Sequence, residues 1–463
     1  MARPRGQALS DALALAAQIR AGELSPAELV EATIARCEAA DADLNLLVTQ
    51  CYLEGLEAAR GPLPDGPFTG VPMLVKDLTE TGGVRTTFSS RAFADYVPET
   101  DAAVVRRMKE AGFVVIGKSN TPEFGITAVT ESELNGACLN PWDTSRTPGG
   151  SSGGAAAAVA AGVLPLAHGS DGGGSVRIPA TCCGLFGIKP SRGRVSPAPY
   201  TSGSLELSQS GPLSVSVRDA AAFLDVLAGY ETGDAHWAPP PERPFLEEVG
   251  ADPGRLRIAF TAEPAIDREV DPRLVAVARN AADAIADLGH DVVERTPAWR
   301  EPDVLGKFAY LWQVTPALYP VRDESLLMPI NRTLAEQARA TSSVQYAQAV
   351  LALQRLARRI LAFWDDADVV LTPGLAKLPV PIGWVFEPED PWEQFRRGGE
   401  FTPFTPIVNV TGQPAAAVPW DVVDGLPAGI QLIGPPAGEA LLFRLAAQLE
   451  AANPWAQRLT DRA

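Results

Sequence analysis

Two glycine-serine loops and one lysine carry the residues of this sequence whose types and spacing invite chemistry. The first loop reads Gly149-Gly150-Ser151-Ser152-Gly153-Gly154 and the second Gly169-Ser170-Asp171-Gly172-Gly173-Gly174-Ser175, and each leads into a stretch of helical character. Glycine runs let the backbone turn several N–H groups toward one point, and free N–H groups at a helix start favour an anion. A phosphate or a reaction oxyanion fits such a loop. A serine hydroxyl is a weak nucleophile until a base takes its proton, and the chain holds only three histidines, His168, His236 and His290, to supply an imidazole. A lysine serves as base only where burial disfavours its ammonium form. Lys76 directly follows the apolar run 71–75, which suits burial.

The elements that must position these groups are readable from periodicity. Apolar residues at helical spacing over 9–39, with Ser25-Pro26 as an N-cap and first-turn signal, predict two or three N-terminal helices. From residue 71 short β-branched runs at 71–75 and 113–116 alternate with helical stretches such as 102–111, an α/β pattern. The proline-rich tract 237–244 reads as a loop or boundary. Beyond it come a strand at 256–261, a helix at 271–288, and a long helix with Tyr346, Val350, Leu353, Ala357, Ile360 and Trp364 on one face. Strands at 369–371 and 429–433 and a helix at 438–449 follow.

Two other motif matches fail on their surroundings. Residues 112–119 satisfy the P-loop pattern, but Phe113-Val114-Val115-Ile116 inside it is strand-like and Thr121-Pro122 disrupts the helix a phosphate cradle requires. Residues 149–153 satisfy G-x-S-x-G, yet such an elbow needs a later Asp and His. His168 sits in a strand, His236 in the proline-rich loop and His290 in a helix-end turn, none of them placed for that triad.

Composition narrows the function classes. With 46% hydrophobic and 21% charged residues over 463 positions, the chain can bury a large core. A net charge of −17 repels phosphate backbones and anionic lipid, so neither nucleic acid nor a membrane surface is expected as partner. The apolar run 155–167 falls short of the ~20 residues that span a bilayer. Five cysteines without C-x-x-C or Cys/His ligand spacing predict reduced thiols and no metal, and residues 1–10 lack the apolar core of a signal peptide. A cytoplasmic small-molecule enzyme is the expectation, a homodimer being compatible with it.

The stretch 149–190 (GGSSGGAAAAVAAGVLPLAHGSDGGGSVRIPATCCGLFGIKP) resembles the amidase signature almost end to end. The likeness extends to Gly70-Val71-Pro72, Val75-Lys76-Asp77, 117–123 (GKSNTPE) and Asn140-Pro141-Trp142, and to Asn409, Gly412, Pro414 and 427–432 (PAGIQL) in the C-terminal part. It is weakest over 231–400. The resemblance implies a single α/β/α domain with a mixed central sheet flanked by helices, active-site residues at the ends of central strands, and no cofactor. Within it, 1–65 would form N-terminal helices, 66–230 the signature core, 231–400 a variable region, and 401–463 a closing strand and helix. In that family a catalytic Ser, a second Ser 24 residues earlier and a Lys after a short strand form the triad. The matching positions are Ser175, Ser151 and Lys76.

The resemblance further implies a cis peptide at Gly150-Ser151. Read from the residues themselves, the backbone N–H groups of Gly172, Gly173, Gly174 and Ser175 would stabilise the oxyanion, Ser152 and Ser170 would tune hydrogen bonds or cap helices, and Asp171 and Arg177, of opposite charge beside Ser175, would form a structural ion pair. Gly172, in place of the threonine of many relatives, and 175–180 (SVRIPA) resemble bacterial amidases of small non-peptide amides, including hydrolases of cyclic amide oligomers and aryl acylamidases. Two rival readings are a glutaminase A subunit of a glutamyl-tRNA amidotransferase and a silent, binding-only protein on the same fold. Residues 120–125 (NTPEFG) and the lack of a Tyr-rich tract between Ser325 and Asp365 count against the first, and the intact triad against the second. Phe124, Tyr200, Phe308, Trp312 and Phe404 are candidate pocket walls.

Overall fold

The computed structural model describes residues 11–199 and 207–460. Three strands, β1 (Leu47–Gln50), β2 (Pro72–Lys76) and β3 (Val114–Ser119), form a small sheet in the order β1-β3-β2, and β4 (Glu131–Ser132) pairs with β5 (Gly136–Ala137) in a short hairpin. The main sheet collects β6 (Leu166–Asp171), β7 (Phe186–Lys189), β8 (Gln209–Ser214), β9 (Arg257–Phe260), β10 (Asp291–Glu294), β11 (Val369–Pro373), β12 (Ala415–Val423) and β13 (Leu426–Ile433). Its order is β10-β9-β11-β13-β12-β7-β8-β6. β9 pairs in parallel with β10 and β11, and the other neighbours run antiparallel, so the sheet is mixed. Tract 231–400 supplies β9 to β11 of this sheet.

Side chains alternate across a strand, so each strand must find cover on both faces. Ala416, Val418, Ile430 and Leu432 pack in one layer with residues of helices Val217–Leu227, Pro272–Asp287 and Glu439–Ala452. Ala417 packs on the other side with helices Gly153–Ala160 and Arg177–Cys183, and Ala415 and Ile433 pack with helix Ser343–Leu361. The Ala-rich run is buried on every face because Gly153–Ala160 runs through the interior. A Cβ on Gly154 would lie 2.4 Å from the Asn120 backbone nitrogen, so only glycine lets this helix approach the end of β3 so closely.

Most predicted elements appear within a few residues of their expected bounds. Helix Pro26–Leu44 starts at a capping box of Ser25 and Glu28 and stops at Asn45, whose φ of 54° breaks the helical repeat. The P-loop-like segment is strand β3, with Lys118 fully buried. No helix among the described residues is long and apolar enough to cross a membrane, and all five cysteines are buried and free of disulfides. Residues 1–10, read above for a leader, lie outside the described residues.

One expectation needs correction. The glycine-serine loops do not end central strands, because β6 is the edge strand of the main sheet. Its open edge lies against β2 of the small sheet, where the Lys76 N–H donates to His168 Nδ1 at 3.4 Å. The side chain closes an edge that backbone pairing leaves open.

The N-terminal half is tied to helix Glu439–Ala452 by a buried ion pair. Arg194 Nε donates to Glu439 Oε1 at 3.0 Å, both side chains almost wholly enclosed, and the Ser191 N–H reaches the same carboxylate at 2.9 Å. Removing one member of such a pair strands the other charge and costs about 3–5 kcal/mol. Arg194→Met should therefore lower the thermal midpoint by several degrees. Glu31→Gln, which breaks a pair with Arg60 more than half exposed on both sides, should leave the midpoint unchanged within error; equal shifts in calorimetry would contradict this ranking.

Candidate active site

Lys76 ends the fully buried strand β2, and its side chain is wholly enclosed. Its Nζ lies 2.8 Å from Ser151 Oγ and 3.1 Å from both the carbonyl and the hydroxyl oxygen of Ser170. No carboxylate among the described residues forms an ion pair with it. Burial therefore pushes the amine down to about 7, against a partial upward pull from Asp171. His168, on β6 beneath it, is a neutral spacer, held at about 3 by burial and then by the Lys76 and Lys118 charges. Because His168 Nδ1 accepts from the backbone, Nε2 carries the ring proton and donates to Ser210 Oγ at 3.2 Å.

The first glycine loop brings Ser151 to this amine. The Gly150-Ser151 peptide is cis, and a Cβ on Gly150 would lie 2.7 Å from Val129 backbone, so the loop is pressed against that segment. Ser152 does not cap its helix. Its hydroxyl instead donates to the Ser170 carbonyl and accepts from the Ser170 N–H, both at 3.3 Å, stitching the two loops together.

The second loop is organised by Asp171. Its carboxylate accepts from the N–H groups of Gly174 at 2.8 Å, Val176 at 3.2 Å and Arg177 at 3.4 Å. Arg177 meets it through Nε and Nη2, both at 2.9 Å, with Nη1 on Gln431 Oε1 at 2.6 Å and Nη2 on Asn409 Oδ1 at 2.7 Å. Burial alone would raise this carboxyl, but the Arg177 guanidinium holds it well below the usual carboxylate range. Asp171 and Arg177 thus form a buried ion pair. The donor set differs from expectation at Gly174, whose N–H is spent on Asp171. The N–H groups of Gly172, Gly173 and Ser175 have no acceptor among the described residues.

Ser175 lies beside Ser151, since its carbonyl accepts from the Ser152 N–H at 3.2 Å. Its hydroxyl makes no hydrogen bond to Ser151 or to any other described residue. Catalytic hydrogen bonds are often long without substrate and tighten when it binds. Two cavities meet at Ser175. A narrow one of about 60 Å³ runs between Ile126, Ile266, Leu305, Phe308 and Phe395. A wide one of about 510 Å³ is lined by Ser151, Ser170, Glu80, Phe124 and Tyr319 among others. Trp312 borders both, stacked on Phe308 at 5.3 Å and tied by Nε1 to the Ile126 carbonyl at 3.2 Å.

Of the five aromatic wall candidates, Phe124, Phe308 and Trp312 line these cavities, whereas Phe404 is wholly buried and lines neither. Tyr200 lies outside the described residues. Sequence reasoning missed Ser170 as a direct partner of Lys76, and it missed Glu80 altogether. Ser170 was open to detection, because it stands two residues from His168 on β6 and so shares its face.

Comparison with known proteins shows the family. The model of the Amidase family matches residues 28–443. The chain is 38% identical to a 6-aminohexanoate-cyclic-dimer hydrolase of Paenarthrobacter ureafaciens, over 97% of this chain and 96% of that one. It is 39% identical to the putative amidase AmiB2 of Mycobacterium tuberculosis over 98% of each. Among solved structures, that of 6-aminohexanoate cyclic dimer hydrolase complexed with substrate superposes with a TM-score of 0.92 at 36% identity, covering 97% of this chain and 98% of the other. A bacterial aryl acylamidase of the amidase signature enzymes follows at 0.87 and 26%, covering 98% and 99%. The signature motifs, the mixed α/β fold and these full-length likenesses together make the chain a member of the amidase signature family of hydrolases.

Proposed function

We propose that the protein hydrolyses the C–N bond of a small non-peptide amide, linear, aryl or cyclic, through an acyl-enzyme on Ser175. The observation that carries this reading is the enclosed Lys76 amine 2.8 Å from Ser151 Oγ, pushed down to about 7, beside the cavity that Ser175 lines. Ser175 Oγ attacks the amide carbon as its proton passes to Ser151, whose own proton moves to Lys76 Nζ. The carbonyl oxygen becomes an oxyanion held by the N–H groups of Gly172, Gly173 and Ser175, each donor worth about 3 kcal/mol in comparable sites. Collapse expels the amine, which takes a proton from Ser151 as Lys76 returns one. Water then repeats the sequence on the acyl-enzyme and releases the acid. Activated esters and carbamates present the same carbonyl chemistry and fall within reach of the site. Names of the relatives support amides as the substrate class.

Ser175→Ala should abolish amide turnover and remove labelling by a serine-directed phosphonate, read by intact-mass spectrometry. A fully labelled variant would place the nucleophile elsewhere.

The base is active only when neutral. With Lys76 at about 7, kcat/KM for an amide should rise about tenfold per pH unit below pH 7 and level off above it. Lys76→Ala should lose that limb, and should lose amide hydrolysis more severely than ester hydrolysis because an alkoxide leaves with less help than an amine. Lys76→Arg should be nearly as damaging, since guanidinium cannot accept the proton. A pH–rate profile of Lys76→Arg that stays within a few-fold of the parent would exclude the serine-serine-lysine relay.

A further inference from the structure

Which cavity takes which half of the substrate follows from where the proton donor stands. This step rests on the serine-serine-lysine reading. The leaving nitrogen must come within hydrogen-bond reach of Ser151, and Ser151 lines the wide cavity but not the narrow one. The amine half therefore occupies the wide cavity. The acyl half enters the narrow slot, whose apolar walls suit a short hydrocarbon arm.

The two cavities differ in charge as well as size. Among the described lining residues the narrow slot contains no charged side chain, and the wide cavity contains one, Glu80. No other described residue donates a hydrogen bond to the Glu80 carboxylate, and none pairs with it within ion-pair distance. Its nearest cationic influence is Lys118, which is fully buried and whose Nζ is held by the Thr79 carbonyl and Thr86 Oγ1, both at 2.7 Å. Lys118 also faces Asp77 at 3.6 Å, so its charge is shared. Tyr319, another wall of the cavity, stacks on Phe124 at 4.2 Å, and its phenol is raised by burial and then by the Glu80 charge and so stays protonated.

A half-buried carboxylate held only by its own backbone N–H is costly to keep charged, and burial does push Glu80 up. A cation delivered by the substrate would restore its charge and recover that cost. A carboxylate delivered there would meet like charge with no compensating cation among the described walls. A neutral alkyl amine would gain nothing from Glu80.

We propose that Glu80 is a specificity-determining residue that selects amides whose amine half carries a second, positively charged nitrogen, that is, mono-N-acylated diamines with a short apolar acyl group. Hydrolysis of such a substrate releases a free diamine from the wide cavity and a short fatty acid from the slot, with one water consumed.

Three probes share a butanoyl acyl group and differ only at the far end of the amine: N-butanoyl-1,4-diaminobutane, its neutral isostere N-pentylbutanamide, and N-butanoyl-5-aminopentanoate. The full-length protein should hydrolyse the first with a kcat/KM about tenfold or more above the second, and the third more slowly still. Glu80→Gln should bring the first two within about twofold of each other while leaving N-pentylbutanamide hydrolysis within about twofold of the parent. A parent that does not discriminate between the first two, or a Glu80→Gln variant that slows all three by one factor, would overturn the assignment. The burst of p-nitrophenol from p-nitrophenyl butanoate and labelling by a serine-directed phosphonate separate the two levels of argument. A burst in parent and variant alike, without charge selection, refutes the role of Glu80 alone; failure of the phosphonate to label Ser175 in either refutes the acyl-enzyme reading beneath it.

Discussion

Everything at this site depends on keeping one lysine amine dry and, among the described residues, without a carboxylate partner. Lysine normally reaches water or an acid, and enclosing it among neutral groups penalises its charged form. Lys76 is surrounded by two serine hydroxyls, a carbonyl and a neutral imidazole, so its amine sits near neutrality at about 7. Replacing any of these neighbours by an acid would raise it again. The seam between β2 and β6 is built for this purpose: both flanking strands are buried, and His168 satisfies the backbone of Lys76 without bringing a charge.

The anionic charge nearby is handled the opposite way. Asp171 is fully paired by Arg177, and Arg177 is in turn held by Asn409 and Gln431 from the far end of the chain. A Cβ on Gly174 would collide with Thr405 Oγ1 at 2.3 Å, so the same C-terminal segment presses on the second glycine loop. The loop that carries Ser175 is therefore shaped by residues more than two hundred positions away. This explains why the C-terminal motif accompanies the signature: a change at Asn409 or Gln431 would first be felt as a loosened Arg177.

Much of this was legible in the sequence. The glycine loops, the 24-residue serine spacing and the lysine after a buried strand are local patterns, and local patterns survive without coordinates. The Asp171–Arg177 pair was legible too, because both residues flank one short loop. What escaped was set by long-range packing. That β2 belongs to a separate sheet, that β6 is an edge, and that Phe404 faces the core while Phe308 faces a cavity all depend on contacts between distant segments. The Gly174 donor was a different kind of error. An aspartate three residues before a glycine commonly accepts from that N–H, and the turn signal was present in Asp171-Gly172-Gly173-Gly174.

That detail also bears on the choice the sequence left open, between a phosphate and a transient oxyanion at the second glycine loop. A phosphate cradle needs several unspent donors and a positive surround. Here Asp171 already takes three N–H groups, and its own charge is neutralised by a guanidinium aimed at it rather than at the cavity. Lys76, near neutrality, offers no dependable cation, and among the described residues the only charged wall of the wide cavity is the carboxylate of Glu80. A permanent dianion would find few donors and an unfavourable field. A single negative charge that develops on one oxygen, covalently delivered to the carbon beside Ser175, needs only the remaining Gly172, Gly173 and Ser175 donors and lasts no longer than the reaction step. The same loop that looks like a phosphate site in sequence is, in its folded surroundings, suited to an oxyanion.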